Sequence, residues 1–125
     1  MNRLELEALA DEVRAALILA GYALYDMHSE PGSHEDLIGG VAVNDDEYGL
    51  HGRPPGVLVN WEVHTDLAKR RNEAEDAGRF DDPAVVLHEA VYRAQNRALT
   101  TVLRGSGFKT VPDPNGGRPV AVGQR

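Results

Sequence analysis

The sequence predicts an α+β fold, a two-layer sandwich in which two long helices pack on one face of a mainly antiparallel sheet of four to five strands. Two segments, one near each end of the chain, repeat apolar residues at helical spacing. Between them lie short β-patterned segments joined by loops, which favours antiparallel neighbours. The predicted order is α-β-β-β-(α)-α-β, with a weak helix before the second long one.

The first helix ends at Gly21, because glycine readily adopts the left-handed conformation that terminates helices. Its core stripe is Leu6, Leu9, Ala10, Val13, Ala16, Leu17 and Ala20. A second apolar group lies on the opposite side, at Leu4, Ala8, Ala15, Ile18 and Leu19. A helix with two apolar faces is either enclosed or part of an interface. We therefore expect a homodimer that uses Leu4, Ile18 and Leu19.

Three strands are predicted next, over residues 22–28, 37–44 and 57–64. The pair Gly39 and Gly40 inside the second strand predicts a bulge or the close approach of another backbone. The third strand alternates strictly, which predicts one covered face and one open or partly covered face. The covered side is Val57, Val59, Trp61 and Val63, and the open side is Leu58, Asn60, Glu62 and His64.

The second long helix is predicted over residues 81–105, with Asp82 and Pro83 as start signals and Gly105 as the stop. Its predicted apolar side is Ala84, Leu87, Val91, Ala94, Ala98 and Val102. Its predicted polar side is Glu89, Arg93, Asn96, Arg97, Thr100 and Arg104. His88 and Gln95 interrupt the apolar arc, so they are either hydrogen-bonded core residues or the lining of a pocket or interface.

Two segments give weaker signals. Residues 65–78 are highly charged and predict a solvated helix, capped by Thr65 or Asp66, or an irregular excursion. After a strand at 107–111 and a turn at 113–117, residues 118–122 predict an edge strand or part of a loose tail. The expected organisation is one α+β domain over 1–112 and a turn-rich tail over 113–125.

The composition disfavours several classes of partner. A net charge of −7 opposes broad binding to nucleic acid or to a membrane surface. The α-β-β-β-α order is also that of double-stranded-RNA domains, but here only Arg93, Arg97 and Arg104 would face phosphates, so we expect no nucleic-acid partner. The chain has no cysteine and begins with acidic helical residues, which favours a cytoplasmic protein, and its basic residues are mostly arginine, which indicates a GC-rich, bacterial genome.

Few residues indicate chemistry. Phosphate-binding glycine loops, nucleophile elbows and two-histidine zinc helices are absent from the sequence. Glu62 and His64 form an acid–histidine pair on the open strand face, beside Asn60, and are candidates for acid–base catalysis together with His88. The same row is also typical of a solvent-facing strand.

Residues 26–47 contain seven acidic residues and no lysine or arginine. Of these residues, His28, His34 and Asp36 are the candidates for a metal, although their spacing matches no calcium loop and no metal or other cofactor is expected. Tyr48, in a glycine-rich loop, is a candidate anchor for a protein partner.

These observations predict a non-enzymatic interaction, assembly or adaptor protein that forms a homo-oligomer. Asn60, Glu62 and His64 would add a second contact surface to that of the first helix. The alternative is a small metal-assisted or acid–base enzyme that uses histidine and glutamate on the open sheet face or in the acidic loop.

Overall fold

The structure is a computed structural model that describes residues 1–25, 40–49, 52–114 and 116–124. Within these ranges the chain forms three helices and four strands. The elements are α1 Arg3–Leu19, β1 Gly40–Asp46, β2 Gly56–Glu62, α2 Thr65–Asp76, α3 Pro83–Gly105, β3 Phe108–Pro112 and β4 Pro119–Gln124. The predicted α+β class and the antiparallel character of the sheet are confirmed.

The strand order in the sheet is β1-β2-β4-β3, and each pair of neighbouring strands is antiparallel. The last strand of the chain therefore lies between β2 and β3. Val57 pairs with Ala121, and Val111 pairs with Val120. The expectation that residues 118–122 form an edge strand or a loose tail is wrong, because Val120 and Ala121 are buried and their strand has a neighbour on each side.

Helix α1 matches its prediction closely. Asn2 caps it by accepting from the main-chain N–H of Glu5, whose side chain bonds back to the N–H of Asn2. The residues of the predicted stripe that are buried are Leu6, Leu9, Ala10, Val13 and Leu17. Helix α1 therefore binds the rest of the protein through the face that its periodicity indicates.

Helix α3 begins as predicted, with the side chain of Asp82 accepting from the N–H of Ala84. It includes Gly105, and the left-handed glycine beyond its end is Gly107, at φ 97°.

The buried residues of α3 are Asn96, Leu99 and Leu103. The predicted apolar face is therefore wrong by roughly the 100° turn of one residue. Leu87 and Ala94, which were predicted to face the core, are exposed.

One buried cluster joins the helices to the sheet. It includes five residues of α1, Leu99 and Leu103 of α3, and strand residues whose side chains alternate to the same side as Val57 and Val59. Trp61 packs at its margin, where its ring meets Tyr22 edge-on with 6.4 Å between centroids. The predicted placement of Trp61 on the valine side is therefore confirmed.

The predicted strand at 22–28 is described only to residue 25, and there it is a single bridge. Leu24 pairs with Val41 in parallel, through bonds from Tyr25 N–H to Val41 C=O and from Val41 N–H to Ala23 C=O. Gly40 lies against this segment, since a Cβ on it would stand 2.9 Å from the carbonyl oxygen of Ala23. That contact confirms the close approach predicted from its glycine pair. Residues 26–28 and 37–39 of the two predicted strands lie outside the described residues.

The reverse face of the sheet is less open than its pattern indicates. Leu58, Ala42 and Val120, whose side chains alternate away from the core cluster, are also buried. The loop before β2 reaches the turn after β3, because Gly52 lies beside Pro114. A Cβ atom built on Gly52 would stand 3.7 Å from the ring carbon Cγ of Pro114. Asn60 and Glu62, farther along β2, are half-buried. The open side of this strand is thus confined to its carboxyl end.

No helix in the described part of the chain is long and apolar enough to cross a bilayer.

Candidate functional site

A pocket of about 410 Å³ lies where the carboxyl end of β2 meets α2 and α3. Asn60 and Glu62 line it from the strand, Arg71 from α2, and His88 and Tyr92 from α3. The structure therefore places His88, a candidate from the second long helix, in one pocket with the strand candidates Asn60 and Glu62. Their sequence separation gave no indication that they meet, because α2 and the start of α3 must fold back over the strand to form the pocket.

Asn60 and Glu62 are two positions apart on β2 and share one face, as predicted. The Nδ2 of Asn60 donates to Oε1 of Glu62 at 3.0 Å. The Oδ1 of Asn60 is shielded from solvent, and no hydrogen-bond donor among the described residues reaches it. A buried acceptor without a donor costs about 1–3 kcal/mol.

His88 faces the pocket beside Arg71, whose Nη1 stands 3.4 Å from its Nδ1. Arginine only donates, so this contact requires Nδ1 to be the acceptor and places the proton of the neutral ring on Nε2. Burial lowers the pKa of His88, and the Arg71 guanidinium lowers it further, against smaller opposite effects from Glu89 and Glu75. The ring is thus held neutral near pH 7, as a general base requires.

Tyr92 separates this pocket from a larger groove. Its hydroxyl group lies beside Gly116, in the turn before β4. A Cβ atom built on this glycine would stand 3.6 Å from the hydroxyl oxygen. Burial raises the pKa of the Tyr92 phenol, and the nearby Arg118 opposes that rise. The phenol is therefore a neutral hydrogen-bonding group, shared by both cavities.

His64 does not join Asn60 and Glu62. The strand ends at Glu62, and His64 is an exposed residue that caps α2, its Nδ1 accepting from the N–H of Asp66 at 3.1 Å. The predicted row of three side chains is wrong at this position. The predicted capping of α2 by Thr65 or Asp66 is also wrong, because His64 is the capping residue.

The predicted contact residues of α1 share one exposed face. Leu4, Ile18 and Leu19 are 77%, 59% and 89% exposed. Tyr48 is exposed elsewhere, at the tip of a turn that Asp46 holds by accepting from the N–H groups of Tyr48 and Gly49.

The metal candidates His28, His34 and Asp36 lie outside the described residues. Among the residues that are described, no group of three or more histidine or acidic side chains is placed to hold a metal ion.

An ionic cluster joins the two loops that meet beside β4. Asp113 is buried, and its Oδ2 accepts from Nε of Arg118 at 2.9 Å, with Nη1 of Arg53 4.0 Å away. Arg53 also pairs with Asp46 at 3.3 Å. Sequence reasoning missed this cluster, because its members are dispersed over loops and only the folded loops bring them together.

No protein-family model, curated protein or solved structure matches this chain. The residues themselves are therefore the basis for assigning a function.

Proposed function

We propose that this protein is a non-enzymatic interaction protein that self-associates through the outer face of α1. The exposure of Leu4, Ile18 and Leu19, opposite the stripe with which α1 binds its own sheet, carries this proposal. Apolar side chains gain about 25 cal/mol for each Å² removed from water. A second copy of the same face would cover them.

The spacing of this face favours an antiparallel pair of helices related by a two-fold axis. Leu4 and Leu19, and likewise Ala8 and Ala15, lie at equal distances from the midpoint of residues 11 and 12. An antiparallel pair therefore places Leu4 of one copy near Leu19 of the other and matches Ala8 with Ala15. The small alanine side chains permit close approach of the helices, and such an isologous contact closes as a dimer.

Asp11 lies near the centre of this face and opposes its counterpart in a second copy. Its carboxylate pairs with Nη1 of Arg14 at 3.3 Å within the same helix, which offsets part of that repulsion. The face therefore favours an antiparallel pair in which Leu4 and Leu19 make contact at the ends and Ala8 and Ala15 make contact nearer the middle.

We also infer that α1 and α3 form a single layer over the sheet. Residues of both helices belong to the same buried cluster as Val57, Val59 and Ala121, whose side chains lie on one side of the sheet. That arrangement supports the two-layer sandwich and leaves the outer face of α1 directed away from the sheet.

The test is light scattering of an Ile18→Glu/Leu19→Glu variant. The wild type is expected to have twice the monomer mass at micromolar concentration, and the variant the monomer mass. Val86→Glu/Leu87→Glu is a matched control, because it changes two adjacent exposed apolar residues on α3 and is expected to remain a dimer. A monomeric wild type at high concentration would contradict the proposal.

The pocket of Glu62 and His88 favours a second candidate, a small acid–base enzyme. A neutral imidazole and a carboxylate line one cavity together with Asn60, which is the minimum set for moving a proton on a polar substrate. A fragment screen by NMR that follows His88 Hε1 tests it. Fragments that shift this signal in the wild type but leave the spectrum of His88→Gln unchanged would support it, whereas a silent screen would remove it.

The metal-assisted form of this enzyme has its own test. Zinc, manganese and calcium are titrated while thermal melting is followed, because tight binding to the folded state raises the melting temperature. An unchanged melting temperature would exclude that form.

A further inference from the structure

A groove of about 920 Å³ runs between α3 and the edge of the sheet at β3. One wall is the outer side of α3 and carries three arginines, Arg93, Arg97 and Arg104. The other wall is β3, through Thr110, Val111 and Pro112. This groove is separate from the α1 face and is lined by neither Glu62 nor His88.

Strand β3 presents an unpaired edge to this groove. Among the described residues its only neighbour in the sheet is β4. The N–H of Asp113 donates to Arg118 C=O at 2.8 Å, so the main chain at Asp113, and by alternation at Val111, faces β4. The main-chain groups of Thr110 and Pro112 therefore face the groove. They offer one N–H and two C=O groups, because proline has no N–H.

The opposite wall is electropositive, in a chain whose net charge is −7. Arg93 pairs with Glu89, but no ion pair involving Arg97 or Arg104 occurs among the described residues. The Nε of Arg104 donates to Oγ1 of Thr110 at 2.9 Å. This bond fixes the guanidinium beside the strand edge and leaves its two Nη groups available for a carboxylate.

We propose that this groove binds an extended acidic peptide, which adds to the sheet as a further strand beside β3 and places carboxylates against Arg97 and Arg104. Side chains on one side of an extended peptide recur about every 6.7 Å. Arg97 and Arg104 are seven residues apart, so they lie about 10 Å apart along the helix, between one and two of these repeats. Acidic residues at every second position of the peptide therefore bring carboxylates within reach of both long arginine side chains.

The strand edge favours a peptide over a nucleic acid. A phosphate accepts only from the N–H of Thr110 and leaves the C=O groups of Thr110 and Pro112 unmatched, whereas a peptide backbone supplies both a donor and acceptors. A polyanion that extended past the three arginines would also meet the acidic remainder of the protein. A short peptide confines its charge to the groove.

The probe is a short fluorescent peptide that alternates glutamate and valine, measured by anisotropy against the wild-type protein. We expect saturable binding that weakens at least tenfold in Arg97→Glu and falls as salt rises from about 0.05 M to about 0.5 M. Arg70→Glu is the matched control, an equal charge reversal on an exposed residue of α2, and is expected to bind within about twofold of the wild type.

Two further peptides test the strand pairing and the charge. N-methylation of the central glutamate removes the main-chain donor that faces β3 in an antiparallel strand without changing the charge, and lysine in place of glutamate reverses the charge; both are expected to abolish binding. Binding of the N-methylated peptide equal to that of the parent, or no binding of the parent at millimolar protein, would overturn the proposal. Binding of duplex RNA that is lost in Arg97→Glu, without peptide binding, would also overturn it.

This inference is independent of the dimer. The Ile18→Glu/Leu19→Glu variant is expected to bind the peptide with unchanged affinity even as a monomer. A monomeric wild type that binds the peptide would refute only the dimer, and a dimer that does not bind it would refute only the groove.

Discussion

The side-chain oxygen of Asn96 on α3 accepts a hydrogen bond from the main-chain N–H of Trp61 on β2, at 3.0 Å. Val41, opposite Trp61, directs its own main-chain groups away to Ala23 and Tyr25, so the N–H of Trp61 points to the side of β4. The pairing between β2 and β4 ends at Leu58. Asn96 therefore supplies the acceptor that a neighbouring strand would have supplied.

Asn96 is also held in place by its own helix, because its Nδ2 donates to the carbonyl oxygen of Tyr92 at 2.9 Å. Replacing it by leucine, which is similar in size, leaves the N–H of Trp61 without an acceptor. We expect Asn96→Leu to lower the free energy of unfolding by about 1–3 kcal/mol in urea denaturation. Thr101→Ala, at an exposed position of the same helix, is the control and is expected to change it by about 0.5 kcal/mol or less. Equal effects of the two substitutions would show that this bond contributes nothing.

The dimer proposed for α1 has a defined register, and the absence of cysteine from the chain makes that register testable. We expect a mixture of Ala8→Cys and Ala15→Cys proteins to form a crosslinked pair with a short bis-maleimide, because antiparallel helices bring these two positions together. Each variant alone is expected to crosslink much less. Mass spectrometry of the tryptic fragments identifies the product. More efficient crosslinking within the single variants than in the mixture would indicate a different register.

Asp113 is expected to be the most important carboxylate for stability. Its side chain is 0% exposed and lies against Arg118, with Arg53 nearby. Asp113→Ala therefore leaves two partly buried guanidinium groups without this carboxylate as a partner. We expect this substitution to cost about 3–5 kcal/mol in urea denaturation at fixed protein concentration. Asp113→Asn retains an acceptor at the same place and is expected to cost less.

The control for Asp113 is Glu89→Ala, which removes an ion pair of comparable geometry between two exposed side chains, Glu89 and Arg93. Such pairs contribute about 0–1 kcal/mol. If Asp113→Ala costs no more than Glu89→Ala, the ionic cluster does not hold the two loops.

His88 makes stability depend on pH with a definite sign. Its pKa in the folded protein lies below the 6.5 of an unperturbed histidine, so the unfolded chain binds more protons as the pH falls through that value. The contribution of His88 to stability is therefore present above pH 6.5 and is progressively lost below it. We expect the melting temperature of His88→Gln to fall less than that of the wild type on acidification through this range.

An NMR titration of His88 Hε1 checks the cause of this shift. Arg71→Gln removes the neighbouring positive charge and is expected to raise the pKa of His88 toward 6.5, although burial, the larger cause, still holds it below that value. Lys69→Gln removes a positive charge from an exposed position of the same helix and is the control. A midpoint at or above 6.5 in the wild type would contradict the proposed environment of the ring.

Part of the candidate site could be predicted from the sequence. The outer face of α1 follows from helical spacing alone, and the shared face of Asn60 and Glu62 follows from strand alternation. The pocket could not be predicted, because Arg71 and His88 line the same cavity as Glu62 only through the packing of α2 and α3 over the end of β2. The groove arginines were recognised as one polar face, but the strand edge opposite them was not.

The amino-acid sequence by itself determined the elements whose signals are local. The capping of α1 and α3, the buried stripe of α1 and the antiparallel class depend on residues within a few positions of one another, where helical and strand periodicities act directly. Only the tertiary structure decided which strand lies between β2 and β3, which face of α3 is buried, and why Asn96 is in the core. These outcomes depend on contacts between residues far apart in sequence, such as the hydrogen bond from the N–H of Trp61 to Asn96. A local pattern carries no information about such a partner.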